Sequence, residues 1–266
     1  MGKNRIVVIT DCSDIAANEL RGVLISQIEK LGAEEVIEVE PVVYAKEFSI
    51  INAAFLVRLL ADIYIPERII FLVVVNPLST ERENRARIIG ETNNGIKFVG
   101  ENTGTLGWLI KDFGIKQIYE SSKIGLAGKE FVSFGGKYIH APIAAKIASG
   151  INLQNIGIPF DNNRISYVNF ELGTVLHIDN FGIPKIFNKL EDQNEGEIFE
   201  VYVNGEKKCE AVYAHSMKAL PDNSWAIYHG SSIDGLTEIG KVRSLNTAKE
   251  LAIDIGSIIT WRKKIK

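Results

Sequence analysis

Cysteine is nearly absent from this chain: Cys12 and Cys209 are the only 2 in 266 residues, too few and too far apart for a disulfide framework or a thiolate metal site. No metal is expected. Cys12 is read either as a nucleophile or as a small packing residue in a strand-end turn. Long apolar runs are missing too. None approaches the ~20 residues that a membrane helix needs, and Ile6-Val7-Val8-Ile9, after Gly2-Lys3-Asn4-Arg5, is too short for a signal peptide. The expectation is a cytoplasmic protein with no membrane partner. There is no excess of either charge, since 30 Lys plus Arg against 33 Asp plus Glu leave a net −3. That balance gives no footprint for nucleic acid, and the closing Arg262-Lys263-Lys264-Ile265-Lys266 reads as a solvated tail. No Gly-x-Gly-x-x-Gly follows a strand, so neither a dinucleotide fold nor a phosphate loop is supported. Internal repeats and low-complexity segments are also lacking.

What remains is a chain that is 46% hydrophobic and long enough for two domains. Its first half alternates strand and helix patterns. Strands are predicted at Ile6–Thr10, Val36–Val39, Ile69–Val75 and Ile96–Val99, and helices at Ile15–Leu31, Ile50–Ile63, Leu106–Phe113 (stopping at Gly114) and Ile143–Ala148. Such alternation predicts a mostly parallel sheet with helices on both faces. Periodicity then fades, and from Gly173 short strand patterns dominate: Thr174–Ile178, Ile198–Val203, Cys209–Ala214 and Trp225–His229. Val203-Asn204-Gly205-Glu206 reads as a hairpin turn. The fold class expected is α/β, with a mostly parallel N-terminal α/β domain over residues 1–158, a linker at about 159–171 and a smaller C-terminal β-barrel over 172–266.

The candidate chemistry sits at strand ends. The buried strand Ile69–Val75 breaks at Asn76-Pro77 into the polar loop Leu78-Ser79-Thr80-Glu81-Arg82, and open α/β folds keep their ligands at such an edge. Asp11 closes the first strand. A carboxylate there can accept hydrogen bonds from a ribose diol, while Ser13 or Asp14 can cap the following helix.

Several motifs resemble, in order, those of the S-adenosylmethionine (SAM) hydroxide adenosyltransferase family, which also contains the fluorinase and chlorinase. They are Ile9-Thr10-Asp11-Cys12-Ser13-Asp14 with Arg21-Gly22-Val23, then Ala53-Ala54-Phe55-Leu56, Tyr64-Ile65-Pro66, Val73-Val74-Val75-Asn76-Pro77 and Gly100-Glu101-Asn102-Thr103-Gly104-Thr105-Leu106. Ser133-Phe134-Gly135-Gly136-Lys137-Tyr138-Ile139-His140-Ala141-Pro142, Ile178-Asp179-Asn180-Phe181-Gly182 and Tyr228-His229-Gly230-Ser231-Ser232 with Leu236-Thr237-Glu238-Ile239 follow. The resemblance implies a SAM hydrolase that forms adenosine and L-methionine by in-line attack of water at the ribose C5′. No cofactor is implied, SAM being substrate or ligand. A homotrimer with sites at subunit interfaces is implied as well.

By the same resemblance, Asp11 belongs to the ribose side, Asp14 is a further substrate-binding candidate, Asp179 and Phe181 belong to the methionine side, and Ser231 and Ser232 to the adenine end. By residue type, Trp225, Tyr228 and Asn246 are candidates for stacking and edge recognition. The catalytic positions are uneven. Arg82 matches the family arginine, with Arg85 the alternative, but Asn76 stands where an aspartate is expected and Gly135 where a histidine is expected. Losing general-base help removes roughly 10²–10⁴ in rate. His140, five residues on, is either a substitute base or a packed residue, and Ile183 replaces an asparagine that contacts the methionine portion. Two other readings stay open: a non-catalytic SAM- or adenosine-binding protein, and a SAM-dependent halogenase with a halide on the Gly135-Gly136 backbone. The tyrosine that halogenating members carry at position 76 is missing.

Overall fold

The computed structural model describes residues 2–78, 85–121, 133–191 and 193–264. The chain divides into two compact units, Met1–Val168 and Asn169–Lys266.

The first unit contains β1 (Asn4–Thr10), α1 (Asp14–Lys30), β2 (Ile37–Val39), β3 (Val43–Tyr44), α2 (Ile50–Ala61), β4 (Ile69–Val74), β5 (Arg87–Thr92), β6 (Lys97–Glu101), α3 (Gly107–Phe113), β7 (Ile115–Glu120), α4 (Ala141–Ala148) and β8 (Ile158–Pro159). The strands lie in the order β2-β1-β4-β6-β5-β7-β8, with β3 also on β1. Around β1 and β4 the pairing is parallel, and from β6 through β8 it turns antiparallel. Ile6 to Ile9 are all fully buried, as a central strand covered on both faces requires. Ile6 and Val8 join Leu20, Leu24 and Ile28 of α1 and Ile143, Ala144 and Ile147 of α4 in one core layer. Val7 and Ile9, pointing the other way by strand alternation, lie on the face where α2 packs against β1 and α3 packs against α2. α2 starts cleanly because Ser49 Oγ accepts the Asn52 N–H at 3.2 Å.

Residues 159–168 run along the first unit. Asn102 holds them, its Nδ2 donating to Arg164 O and its Oδ1 accepting from Ser166 N–H, both at 2.8 Å.

The second unit is a curled sheet of β9 (Val175–Ile178), β10 (Pro184–Ile186), β11 (Ile198–Val203), β12 (Glu206–Tyr213), β13 (Trp225–His229), β14 (Thr237–Lys241) and β15 (Ile259–Lys263), with the short helix α5 (Thr247–Leu251). Its order is β15-β11-β12-β13-β14-β10-β9, and an antiparallel bridge between Thr174 and Ile258 joins the two outer strands, closing the curl into a barrel. Alternate residues of β11, namely Phe199, Val201 and Val203, fill its core with Tyr213, Ile227, Ile239 and Ile259. Asn204 and Gly205 at φ +49° and +86° make the turn between β11 and β12.

Candidate functional site

β1 and β4 pair in parallel from Arg5 opposite Ile69 to Thr10 opposite Val74, so their C-terminal ends open side by side. Asp11 N–H donates to Val74 O at 3.3 Å. Asp11 Oδ2 accepts from the backbone N–H of Phe48 and of Asn76, each at 3.0 Å. One carboxylate thus ties together the ends of two strands and the loop before α2, while Oδ1 has no hydrogen bond among the described residues. An acceptor held rigid through one oxygen and free on the other is ready for a hydroxyl donor. The backbone around this edge is strained: Asp14, Phe48 and Phe134 have φ of +55°, +59° and +64°. Non-glycine residues in that region cost on the order of 1–3 kcal/mol each and concentrate at ligand sites.

Asn76 Oδ1 accepts from Arg85 Nη2 at 3.2 Å. Arg85 Nε lies 3.2 Å from Glu101 Oε2, an ion pair in which the N–H is not aimed at the oxygen. Arg82 lies outside the described residues, with Ser79, Thr80 and Glu81. Arg85 is therefore the arginine seen against Asn76.

The segment Gly135-Gly136 leans on the same strand end. A Cβ at Gly136 would stand 2.5 Å from Val74 Cγ1, so only glycine lets this turn approach β4. Gly135, with helical φ −54° and ψ −31°, is different: a Cβ there would have Arg87 Nε, Arg87 Nη2 and Ile139 Cδ1 all at 3.9 Å, an ordinary contact. His140 ends the following wide helical turn, Gly136–His140. It is 2% exposed. Neither of its ring nitrogens, nor the buried Nε of Arg87, has a hydrogen-bond partner among the described residues. Burial, and then the nearby Arg87 charge, push its pKa down to about 4, so the imidazole is neutral at pH 7. The ring is thus enclosed and uncharged at the end of the glycine turn.

The helix-cap reading is not realised. Ser13 occupies the N-cap position of α1 but its side chain makes no cap bond, and Asp14 is exposed at the first turn with its positive φ. The chain enters α1 by a left-handed turn that no side-chain cap accompanies.

In the second unit Asp179 follows β9. Its Oδ1 accepts from Phe181 N–H and Ile183 N–H, both at 2.9 Å, and its Oδ2 from Lys185 Nζ at 3.1 Å. Lys185 Nζ also donates to Glu238 Oε1 at 2.7 Å, a charged chain reaching from the Asp179 turn to β14. The Phe181 ring is 57% exposed beside this turn, and Ile183 is buried. Ser231 is exposed, and Ser232 is buried with its carbonyl accepting from Gly235 and Leu236 N–H. Burial, and then the Glu238 charge, push the Tyr228 hydroxyl's pKa up, keeping it a donor. Trp225 lies under Lys241 Nζ at 5.7 Å, and Asn246 precedes α5.

With this geometry in hand, similarity decides the family. A sequence model of the SAM hydroxide adenosyltransferase N-terminal domain matches residues 6–157. The chain belongs to the SAM hydroxide adenosyltransferase family. No curated protein matches it in sequence. Among solved structures it is similar to an uncharacterized conserved protein from Thermotoga maritima, at 22% identity and TM-score 0.78 over 97% of this chain and 100% of that one. It is also similar to a conserved hypothetical protein from Thermus thermophilus, at 18% identity and TM-score 0.72 over 98% and 100%. These likenesses extend the shared fold across both units.

In this SAM hydroxide adenosyltransferase relative, Asp11, Asn76, Arg85 and Gly135 come together at one strand edge. Asp179 with Phe181 and Ser231 with Ser232 sit on two loops of the second unit, linked through Lys185 and Glu238. Sequence reasoning missed Phe48, whose N–H holds Asp11, and Arg87, which faces Gly135. Phe48 carries no signal because a backbone donor is indifferent to side-chain type. Arg87 was discoverable only as an arginine opening a strand. Among the described residues no group of three or more His, Cys, Asp and Glu gathers to hold a metal, and no helix is long and apolar enough to cross a membrane.

Proposed function

We propose that this protein binds SAM by its adenosyl end at Asp11 and hydrolyses it slowly to adenosine and L-methionine. The observation that carries the reading is the Asp11 carboxylate, fixed on one oxygen by two backbone N–H groups and free on the other, beside Asn76 and Arg85. Asp11 accepts from the ribose hydroxyls. Water then attacks C5′ in line with the sulfonium, the C5′–S bond breaks, methionine leaves as a neutral thioether and the water's proton passes to solvent. Because the sulfonium is already a good leaving group, alignment and exclusion of bulk water supply most of the acceleration. Assembly as a homotrimer belongs to the same proposal.

A second reading, a non-catalytic receptor for SAM or adenosine, is favoured by one set of observations. Asn76 offers an amide already engaged by Arg85, Gly135 offers no side chain, and His140 is enclosed. Incubation with SAM and chromatography of the products separates the two. The hydrolase reading expects adenosine and methionine to appear in equal amounts, and to be lost in Asp11→Ala; intact SAM bound at stoichiometric occupancy, with no adenosine above the spontaneous rate, selects the receptor.

A further inference from the structure

At the opposite end of the first unit's sheet lies a cavity of about 380 Å³, lined by Gly2, Lys3, Arg5, Tyr64, Ile65 and Arg68, with Ile63 at its side. Arg5 pairs with Ile69 in the β1–β4 register, so the cavity sits where these strands begin, a full strand length from Asp11 and Asn76. Its lining holds three cationic side chains and no carboxylate. One of the three is neutralised, because Arg5 is paired with Glu40 and, at 3.2 Å, with Glu38. Lys3 and Arg68 have no ion pair or side-chain hydrogen bond among the described residues. The C-terminal carbonyls of α2 do not call for them, since Arg58 is the cation of that helix's last turn.

Arg68 reaches back to the start of the described chain. Its guanidinium lies against the backbone of Gly2, in the space a Cβ would need. Beside the two free charges stand the Tyr64 phenol, which burial and then Glu40 keep protonated, and the apolar side chains of Ile63 and Ile65, exposed at 68% and 59%. A planar guanidinium and an ammonium suit a doubly charged phosphoryl group, the first as a fork and the second as a point charge. The isoleucines and the tyrosine ring suit an apolar body, and the volume falls within the range of small-ligand sites.

We propose that this cavity binds a phosphate monoester with a small apolar or aromatic body, at a site separate from the SAM site. Arg68 and Lys3 hold the phosphoryl oxygens, Tyr64 donates a hydrogen bond, and Ile63 and Ile65 cover the ester group.

Calorimetry with phenyl phosphate tests this, with benzoate and inorganic phosphate as comparison ligands and SAM omitted. Phenyl phosphate is expected to bind more tightly than either, and to weaken with added salt. Lys3→Ala and Arg68→Ala should each weaken it by about tenfold or more, while Arg68→Lys retains part of the affinity. Asp11→Ala, at the other end of the strands, should leave it unchanged, so this result stands or falls apart from the SAM reading. No heat from phenyl phosphate at about 10 mM, equal affinity in wild type and in correctly folded Lys3→Ala and Arg68→Ala, or loss of binding in Asp11→Ala would each overturn the proposal.

Discussion

In the proposed hydrolysis Asn76 and Gly135 stand where a carboxylate and an imidazole would act, and their surroundings say what restoring those groups would do. Asn76→Asp would set a carboxylate 3.2 Å from the Arg85 guanidinium, fixed in orientation but with its pKa lowered by the pairing. Gly135→His strains neither the backbone, which is helical there, nor the space for a Cβ, whose neighbours stand at 3.9 Å. The double substitution should raise adenosine formation by about 10²-fold, each single one by much less, since a water needs both acceptor and orienting group. Initial rates by chromatography check this. His140 makes a different prediction, on stability. Its folded pKa of about 4 lies below the ordinary value, so the folded state binds fewer protons than the unfolded chain between the two. The neutral ring's contribution is complete above about pH 6.5 and is lost as the pH falls toward 4. Urea unfolding should show wild type losing about 2 kcal/mol more than His140→Gln between pH 7 and pH 5.

Elements place these residues by close approach. The turn Gly136–His140 reaches β4 only because Gly136 has no side chain, and that approach brings Gly135 to the strand edge and His140 into the core. The segment Gly100–Leu106, which sequence similarity marks as a motif, does its visible work as a latch. Asn102, 5% exposed, binds Arg164 O and Ser166 N–H with its two side-chain ends. Asn102→Ala should therefore cost about 1–3 kcal/mol, because two hydrogen bonds anchored on a buried side chain are lost. Limited proteolysis should cut first within residues 159–168, ahead of any cut in β1 or β4.

Two compact units with separate cores make up the whole molecule, an α/β sheet that is parallel around β1 and β4, and a closed antiparallel-rich barrel. Each carries candidate ligand residues, Asp11 with Asn76 in one and Asp179 with Phe181 in the other. The trimer proposed above predicts that light scattering at micromolar concentration gives three times the 29.5 kDa chain mass. A mass of one chain, with SAM bound at full affinity, would show that a complete site needs no neighbour.

Fully buried strands and amphipathic helices were legible in sequence because their signal is local: Ile6–Thr10, Ile69–Val75 and the helices after them show it in runs and spacing, and Asn204-Gly205 names its own turn. The family followed from ordered motifs. Strands β5, β7, β14 and β15 were not legible, since Arg87–Thr92 and Ile115–Glu120 mix charges with apolar residues and are fixed as strands by pairing, β5 with β6 and with β7. The same distinction holds in the site. Residue type alone shows that Asn76 and Gly135 cannot accept a proton, whereas the contact of Arg85 with Asn76, the enclosure of His140 and the Phe48 N–H on Asp11 are contacts across 9 to 37 positions of chain or a matter of burial. Local chemistry is written in the order of residues; which groups are left dry, charged or free is decided by what the fold brings against them.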